Sequence, residues 1–488
     1  MSAKIHAVSL VAITTLIVAC GDADITVDGD LAFTNVAVVS MVSDDVLTDQ
    51  TVVVRDREII HIGPSDSTRL SNATEVINAQ GKYLAPGLAD MHVHMMSDVQ
   101  SEMTVTYGVT TVRNMWGYTE ETTPGLAETL TLRTAIEEGR ALGPRIITAG
   151  QLIDGTPKIW QQSKEVETAE QAIQAVQEQL QQPFDFIKVY SHLSQEAFAA
   201  IAGESRRSGR PFAGHVPDEV PMRDALNAGM KSMEHMIGFD TETVIDKVAF
   251  GARRSDKRNE IAARIGRGEE EAGRLFDEDA MRVLAQDVAA SGTWIVPTLI
   301  VLQNIVQSDA EIESQFARDD MKYVAPMMRD FWNPQNDFRR KALTPEMVEG
   351  LKRLSKLNLA RVKILHDSGA RLLAGSDVPN PFVFDGLSLH EEMALFVEAG
   401  LSPYEAIRTA TVAPAEFFGE AGSWGQVSTG AKADLVLLNG DPLVDIQNYL
   451  EIAGVMIAGR WVDSTEIESI RNTVARKYSA MPAQLTEY

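Results

Sequence analysis

The sequence predicts an α/β fold, a parallel (β/α)8 barrel that carries a small β-sandwich domain built from both ends of the chain. In the middle of the chain, short apolar runs alternate with helical stretches, as in a parallel sheet. Near both ends, β-branched runs follow one another across polar turns, as in antiparallel strands. We assign residues 24–88 plus 423–465 to the β-domain, 89–422 to the barrel, and 466–488 to a terminal helix and tail.

The β-domain is predicted from four stretches with strand-like composition. Two lie near the start of the chain, LAFTNVAVVS and QTVVVRDREIIHIG, and two near its end, ADLVLLNGDP and AGVMIAGRWVD. Alternating polar and apolar residues with many valines and isoleucines favour strands. Because the two groups flank a long middle segment, we expect them to pair into one domain.

The barrel is predicted from eight apolar runs separated by helical patterns, which are LADMHVH, TVRNM, RIITAG, FDFIKVY, FAGHV, SMEHM, TWIVPTL and LLAGSD. Eight such units imply a closed, TIM-like barrel with its active site at the carboxyl ends of the strands. Two longer gaps hold residues 240–290 and 301–350, the second with Phe331, Trp332 and Pro334. These insertions form either a lid or substrate wall over the site, or helical decoration.

The first residues predict export. Lys4 is followed by the apolar run 7–19, which is shorter than the ~20 residues that span a bilayer but suits a secretory signal peptide over residues 1–19. The segment up to Cys20 resembles the bacterial lipoprotein cleavage box, so we expect lipid on Cys20 and membrane attachment in the periplasm or cell envelope. Gly21 favours the outer membrane. The alternative is an ordinary signal peptide with an incidental cysteine.

The composition limits the partners. Lys and Arg total 44 against 69 Asp and Glu, a formal net charge of -25. Such a surface repels phosphate backbones, so we expect no nucleic-acid partner and a small-molecule or short-peptide substrate instead. The one cysteine excludes an intrachain disulfide.

Metal-ligand residue types end several predicted strands. His92 and His94 lie two apart on one strand and so point the same way, while His215, His235 and Asp377 each end another. Imidazole and carboxylate groups that converge on one barrel mouth are typical of a metal site. Lys188 ends FDFIKVY in the same position, where a buried ammonium needs either a carboxylate partner or a chemical change.

These motifs resemble the amidohydrolase superfamily, and within it the imidazolonepropionase-like branch that includes metal-dependent Xaa-Pro dipeptidases and carboxypeptidases. The resemblance covers about residues 31–465. It rests on an ordered set of segments, namely PGLADMHVH, IKVY, GHVP, EHMIGF, AGSDVP, SLHEEMALFVEAGLSPYEAIRTATVAPAEFFG and GQVSTGAKADLVLLNGDPLVDI.

The resemblance implies a binuclear site. His92, His94 and Asp377 would hold one divalent metal ion and His215 and His235 the other, with zinc as the expected metal. Lys188 would be carboxylated by CO2, so that its carbamate bridges both ions. A bridging hydroxide would attack a polarised carbonyl, and Asp377 would act as general base and then acid. The choice between one metal and two stays open.

The substrate side is less determined. Tyr190 could hydrogen-bond the substrate or pack on a neighbouring loop, His192 could touch substrate, and Arg113 could pair with a substrate carboxylate or form a structural ion pair. The expected reaction is hydrolysis of amide or peptide bonds in small substrates, in the manner of a dipeptidase, carboxypeptidase or prolidase. The alternatives are hydrolysis of cyclic amides, lactones or xenobiotic amides and esters, and a catalytically inactive envelope binding lipoprotein. A homo-oligomer is left open.

Overall fold

The computed structural model describes residues 25–117, 128–243, 254–341 and 343–481. The predicted signal segment 1–19 and Cys20 therefore lie outside the described residues. The strands in chain order are β1 Ile25–Val27, β2 Leu31–Val39, β3 Val46–Arg55, β4 Glu58–Pro64, β5 Thr68–Leu70, β6 Glu75–Asn78, β7 Tyr83–Pro86, β8 Leu88–Val93, β9 Val109–Asn114, β10 Arg145–Thr148, β11 Ile153–Asp154, β12 Lys164–Glu165, β13 Ile187–Val189, β14 Phe212–Gly214, β15 Ser232–Glu234, β16 Trp294–Val296, β17 Arg371–Leu372, β18 Leu435–Leu438, β19 Ile452–Ile457 and β20 Arg460–Asp463.

The helices begin where the sequence offers caps. Thr168 forms a capping box with Gln171, and Ser194 caps a helix whose end is marked by the left-handed Gly209. The α-helices are α1 Asp98–Thr106, α2 Thr129–Glu137, α3 Ala169–Leu180, α4 Gln195–Ser208, α5 Met222–Asn227, α6 Phe239–Glu242, α7 Arg254–Gly266, α8 Glu278–Ser291, α9 Leu299–Ile305, α10 Asp309–Phe316, α11 Pro326–Phe331, α12 Pro345–Asp367, α13 Leu387–Glu398, α14 Pro403–Arg408, α15 Val412–Phe417 and α16 Ser464–Ser479, and the 3-10 helices are Ala272–Leu275, Asp319–Tyr323 and Ile446–Leu450.

All eight predicted apolar runs contain strands of parallel sheets. Their order is β10-β9-β8 in one sheet and β12-β11-β13-β14-β15-β16-β17 in the other. Isolated parallel bridges join Val93 to Val378 and Ala149 to Phe186, and so connect the two sheets. The α/β class with a parallel sheet is therefore confirmed, while a single closed barrel stays a prediction.

The parallel strands are buried, as the sequence predicts for strands covered by helices. Every residue of β8 and β9 is buried, including polar Asp90, His92 and Arg113. Strands covered on both faces need apolar side chains all along their length. The polar residues in these strands are exceptions that must find partners inside the protein. These polar residues lie at or beside the candidate metal centre.

The β-domain combines both ends of the chain. Strands β20, β19, β18, β7, β2, β3 and β4 follow one another in one sheet, and β6 pairs with β2 to make eight strands. Phe33, Leu84 and Leu435 belong to one apolar core, so residues from both ends pack together. A separate two-stranded sheet pairs β1 with β5. The two-layer sandwich itself stays a prediction.

The long helix α16 follows directly on β20 and corresponds to the predicted terminal helix. Its Arg471 donates to the Thr106 carbonyl at 2.9 Å, which ties the helix to the end of α1. Across the described ranges, no helix combines the length and the apolar character that a membrane crossing requires.

Candidate metal centre

His92 and His94 lie at the carboxyl end of β8. Because side chains two apart in a strand point to the same face, their rings meet with centroids 5.4 Å apart. His92 is completely buried, and His94 is half-buried at the wall of a cavity. The pair therefore presents two imidazoles to one place, as the sequence predicts.

The structure brings the remaining predicted ligands to the same place. The His235 ring lies 4.6 Å from that of His92 and 4.7 Å from that of His215, between centroids. Asp377 Oδ1 lies 3.0 Å from His94 Nε2 and 3.4 Å from His92 Nε2, and its Oδ2 lies 3.6 Å from His235 Nδ1. Four strands that are distant in sequence thus contribute to one cluster.

Two of the predicted ligands have a backbone conformation that only the surrounding fold can maintain. His235 and Asp377 have φ values of 61° and 62°, in the left-handed region. For residues other than glycine this costs on the order of 1–3 kcal/mol each, and such residues concentrate at functional sites. In both, the turn at the strand end directs the side chain into the cavity, which is the position a ligand needs.

Two glycines make room for the ligands beside them. A Cβ on Gly214 would lie 2.9 Å from Lys188 Cδ, and one on Gly375 would lie 2.8 Å from His92 Cβ. Both distances are too short for ordinary contacts. The glycine before each of His215 and Ser376 is therefore required by the close approach of neighbouring strands.

In three of the histidines, a hydrogen bond at Nδ1 orients the ring. His92 Nδ1 lies 2.9 Å from Glu234 Oε2, and His215 Nδ1 lies 2.8 Å from Ser191 Oγ. His235 Nδ1 lies 2.7 Å from Thr298 Oγ1. Partners of this kind set the tautomer and ring orientation of metal-binding histidines.

Arg113 does not reach the cavity, which corrects its prediction as a substrate contact. Its guanidinium donates to both carboxylate oxygens of Glu234 at 2.9 and 3.0 Å, to Ser232 Oγ at 2.7 Å and to the Met91 carbonyl at 2.6 Å. The side chain is fully buried and its donors are directed at protein acceptors. Arg113 therefore forms a structural ion pair, which is the alternative that the sequence left open.

Asp90 connects the strands that carry His92 and Asp377. Its carboxylate accepts from the backbone N–H of Ser376 at 2.9 Å, from Ser376 Oγ at 2.6 Å and from the N–H of His92 at 3.1 Å. Burial raises the pKa of Asp90 to about 6 in spite of these bonds. The contacts between Asp90 and Ser376 thus fix the position of β8 relative to the turn after β17.

Lys188 lines the same cavity, and its amine has no hydrogen-bond partner. The side chain is 1% exposed, and its Nζ has no hydrogen-bond acceptor. Burial lowers the pKa of Lys188 to about 8. The carboxylate pairing considered from the sequence is absent among the ion pairs of the described residues. A buried amine without an acceptor is costly unless it changes its chemical state.

The donor set fits divalent metal ions. Besides Lys188 Nζ, the buried atoms His92 Nε2 and His94 Nδ1 lack hydrogen-bond partners. Burial lowers the pKa of His92 and of His215 well below the usual value and that of His235 to about 4, so these imidazoles are neutral, as ligands must be. Nitrogen and carboxylate donors suit zinc.

The tightest group of ligand atoms differs from the predicted division between two ions. His92, His235 and Asp377 offer atoms within 4.8 Å of one another, whereas the sequence places His235 with His215 on the second ion. Since His215 and His94 border the same group, the geometry brings all the predicted ligands together without separating them into two sets.

Tyr190 lines the cavity and His192 does not. The Tyr190 ring stacks on that of His215 with centroids 3.9 Å apart, and its hydroxyl accepts from Trp160 Nε1 at 2.9 Å. His192 is half-buried, and its Nδ1 lies 2.5 Å from the Pro157 carbonyl oxygen. The structure therefore supports Tyr190 as a cavity residue and directs the His192 ring to a neighbouring loop.

The cluster opens into a cavity of about 420 Å³. Beyond the predicted ligands and Tyr190, its polar side chains are Arg339 and Asn380. Arg339 contacts Asp337 at 2.9 Å and Asn380 at 2.8 Å. The other lining residues are apolar or aromatic: Met96, Trp116, Leu152, Ile159, Trp160, Ile237, Val301, Leu302, Ile305, Met328, Phe331, Phe338 and Pro379.

Several residues of this site were missed in the sequence. Glu234 directly precedes His235, and Asp90 lies two residues before His92, so both were visible within the ligand motifs. Ser191 and Thr298 follow apolar runs in the same way. Their partnership with the histidines depends on contacts between different strands, which no local pattern reports.

Known proteins share this fold and part of this sequence. A model of the amidohydrolase family matches residues 83–462. An adenine deaminase of Rubrobacter xylanophilus is 40% identical over 85 residues, 17% of this chain, and the match spans only 14% of that protein's length. The solved structure of a bottromycin amidohydrolase is similar with a TM-score of 0.69, 23% identity, and 92% and 90% of the two chains covered.

A second solved structure, an Xaa-Pro dipeptidase with methionine bound in its active site, is similar with a TM-score of 0.63 and 19% identity, covering 89% of this chain and 100% of the other. At these identities the two structures establish the fold alone. The family match covers most of the chain and confirms the resemblance drawn from its motifs. The chain belongs to the amidohydrolase family.

Proposed function

We propose that this protein hydrolyses amide bonds in small substrates, including short peptides, at a metal centre held by His92, His94, His215, His235 and Asp377. The observation that carries the proposal is the convergence of these side chains on one cavity wall with buried nitrogen atoms that lack partners. Membership in the amidohydrolase family supports the same reaction class. Divalent ions bound there would supply a Lewis acid that polarises a carbonyl and lowers the pKa of water.

The residues of the chain would divide the remaining work. Asp377, next to three histidines, can take a proton from the attacking water at its carboxylate and return it to the leaving nitrogen. Glu234, Ser191 and Thr298 hold the ligand rings in place. The apolar walls exclude water from the reacting groups, which strengthens electrostatic interactions within the cavity.

We propose that Lys188 is carboxylated. Its neutral amine would add to CO2 to give a carbamate and one released proton, so that a buried amine without an acceptor becomes an anion beside the metal ligands. The support is the position of Nζ, buried and without an acceptor within the ligand cluster. The carbamate would offer a bridge between two ions, and we propose that the site holds two metal ions.

We also propose that the eight strands within the predicted apolar runs, which are β8, β9, β10 and β13 to β17, form one barrel across the two parallel sheets. The support is hydrogen bonding between their edges: the Met91 N–H donates to the Ala374 carbonyl at 2.9 Å, and the His94 N–H donates to the Val378 carbonyl at 2.7 Å. On the other side, Ala149 bridges Phe186 in parallel. In a barrel of this kind all ligand-bearing strand ends open on one face.

Cyclic amides, lactones and xenobiotic esters are a second candidate substrate class. One observation favours them: Arg339, the only cationic side chain at the described cavity wall apart from the ligand cluster, already contacts Asp337 and Asn380. A free substrate carboxylate would therefore compete with Asp337 for its positive charge. Substrates without a carboxylate avoid this competition.

One experiment tests the reaction. Metal content per chain is measured on the purified protein, and hydrolysis is then assayed with a dipeptide panel and with a panel of lactones and cyclic amides. About two zinc ions per chain with peptide turnover is the expected result. Two ions with turnover of lactones alone would select the second class. Failure to bind metal when zinc is supplied would refute the proposal.

For its location, we propose export and lipid attachment at Cys20, in the outer membrane. The support is the apolar run 7–19 followed by the cysteine. Cys20→Ser should abolish incorporation of a labelled fatty acid in a bacterial host. Equal labelling of the variant would leave Cys20 without this role.

A further inference from the structure

A second, larger cavity lies beside the metal-site cavity. Its volume is about 570 Å³, against about 420 Å³ for the first. The two share three lining residues, which are Met96, Met328 and Pro379. These three side chains therefore form the partition between the cavities.

The walls of the second cavity are mostly apolar. They come from α1, from the segment 319–332, from the turn after β17 and from α16, and include Tyr107, Trp332, Phe384 and Tyr478. All four of these aromatic residues are buried members of one apolar cluster. Polar residues also line it, namely Ser97, Asp98, Gln100, Asp320, Asp385 and Lys477. Gln100 Nε2 donates to Asp385 Oδ1 at 3.0 Å, so these two side chains are partners, and the aromatic surface beside them favours an apolar ligand over a charged one.

The partition is movable on one side and fixed on the other. Trp332 Nε1 donates to the Pro379 carbonyl at 2.9 Å, which holds the backbone at Pro379. Met96 and Met328 are half-buried and unbranched, and methionine side chains adapt their rotamers to the groups that contact them. A narrow ligand can therefore separate the two thioethers without displacing the backbone.

From this shared, partly movable wall we infer that the second cavity receives the unbranched apolar chain of an amide substrate whose amide group lies at the metal centre. The inference rests on the proposed amide hydrolysis and assigns its substrate class: amides of long-chain carboxylic acids. An unbranched chain fits a passage lined by two flexible side chains, whereas a branched or charged group does not. Each methylene buried beyond the partition should raise the affinity about fourfold.

The test is a series of p-nitroanilides of straight-chain acids, from acetyl to dodecanoyl, with the metal-loaded enzyme. We expect kcat/KM to rise with chain length, mainly through KM, after the chain becomes long enough to pass Met96 and Met328. In Ala325→Trp, the added ring should fill the second cavity, because Ala325 lines that cavity and not the metal site. Long chains should then lose at least tenfold in kcat/KM, while the acetyl substrate should be unaffected.

Ala317→Trp is the matched control. Ala317 is exposed at the end of α10 and lines neither cavity, so the same added side chain should leave the whole series unchanged. If the unaltered enzyme hydrolyses the acetyl anilide and its kcat/KM does not change with chain length, the inference is overturned while the proposed amide hydrolysis is supported. Equal chain-length dependence in Ala325→Trp and the unaltered enzyme would also overturn it.

Binding of dodecanoate to the metal-free protein, measured by calorimetry, separates this inference from the proposed reaction. We expect one dodecanoate per chain, weakened at least tenfold in Ala325→Trp and unchanged in Ala317→Trp. If no anilide is hydrolysed but dodecanoate binds in this way, the second cavity remains a binding site for an unbranched apolar chain, and the proposed amide hydrolysis is rejected. Absence of binding in the unaltered protein, or binding that Ala325→Trp does not weaken, would reject the second cavity as the binding site for the apolar chain.

Discussion

Glu234→Gln tests whether the buried network behind the metal ligands controls metal affinity. Glu234 is completely buried, and one of its oxygens lies 2.9 Å from His92 Nδ1. The substitution keeps the size of the side chain and an oxygen that can accept from the ring. It removes the negative charge that makes the imidazole a stronger ligand.

The expected magnitude follows from the contacts. Loss of such a partner weakens metal binding by about 10- to 100-fold, which is about 1.4–2.7 kcal/mol. The variant also leaves the buried guanidinium of Arg113 without its counter-ion, although the bonds to Met91 and Ser232 remain. Breaking a buried ion pair in this way costs about 3–5 kcal/mol of stability, so the variant should fold but unfold at lower denaturant concentration.

The assay is competition for zinc between the protein and a chromophoric chelator at fixed pH. Glu178→Gln is the matched control, because Glu178 makes an exposed ion pair with Lys164 and should leave zinc affinity unchanged. Zinc affinity in Glu234→Gln equal to that of the unaltered protein would refute the role of this network. A loss shared equally by the control would mean that overall charge, rather than the contact with His92, is responsible.

Three further predictions concern other groups. Asp377→Asn should preserve the fold and lower turnover by orders of magnitude, since an amide cannot carry the proton; near-normal steady-state rates would remove Asp377 from that role. Lys188→Ala should lose metal, as measured by elemental analysis, and short carboxylic acids should partly restore it; full occupancy without them would exclude a bridging carbamate. Burial raises the pKa of Asp385 to about 7, so the folded protein holds a proton that the unfolded chain releases near pH 4. Stability should therefore fall as the pH rises from about 4 to 7, by up to about 1.4 kcal/mol per pH unit for this group. Asp385→Asn should reduce that slope in denaturant unfolding, and an unchanged slope would contradict the prediction.

Much of the site was readable from local patterns. His92, His94, His215, His235 and Asp377 each end an apolar run, and parallel strands bring such ends to one edge of a sheet. For Arg113, inside a similar run, the sequence left a substrate contact and a structural ion pair open, and the structure has the ion pair. Its guanidinium contacts Glu234 at 2.9 Å, and the sequence could not distinguish a guanidinium directed at substrate from one directed at a buried carboxylate.

The second insertion shows the same limit. The sequence left open whether residues 301–350 form a substrate wall or decoration. In the structure Phe331 lines the metal-site cavity, Trp332 lines the neighbouring one, and Met328 borders both. Which face of a short helix such as α11 points inward is decided by the elements that pack against it, so no periodicity within the insertion could have settled it.

The sequence by itself determined the family, the parallel α/β arrangement and the set of candidate metal-ligand residues, because strand periodicity and strand-end chemistry are local properties of the chain. The tertiary structure alone decided which histidine meets which partner, that Arg113 pairs with Glu234, and that two cavities share a wall of Met96, Met328 and Pro379. These features arise from contacts between segments far apart in sequence, where packing and burial, rather than local preference, select the neighbour.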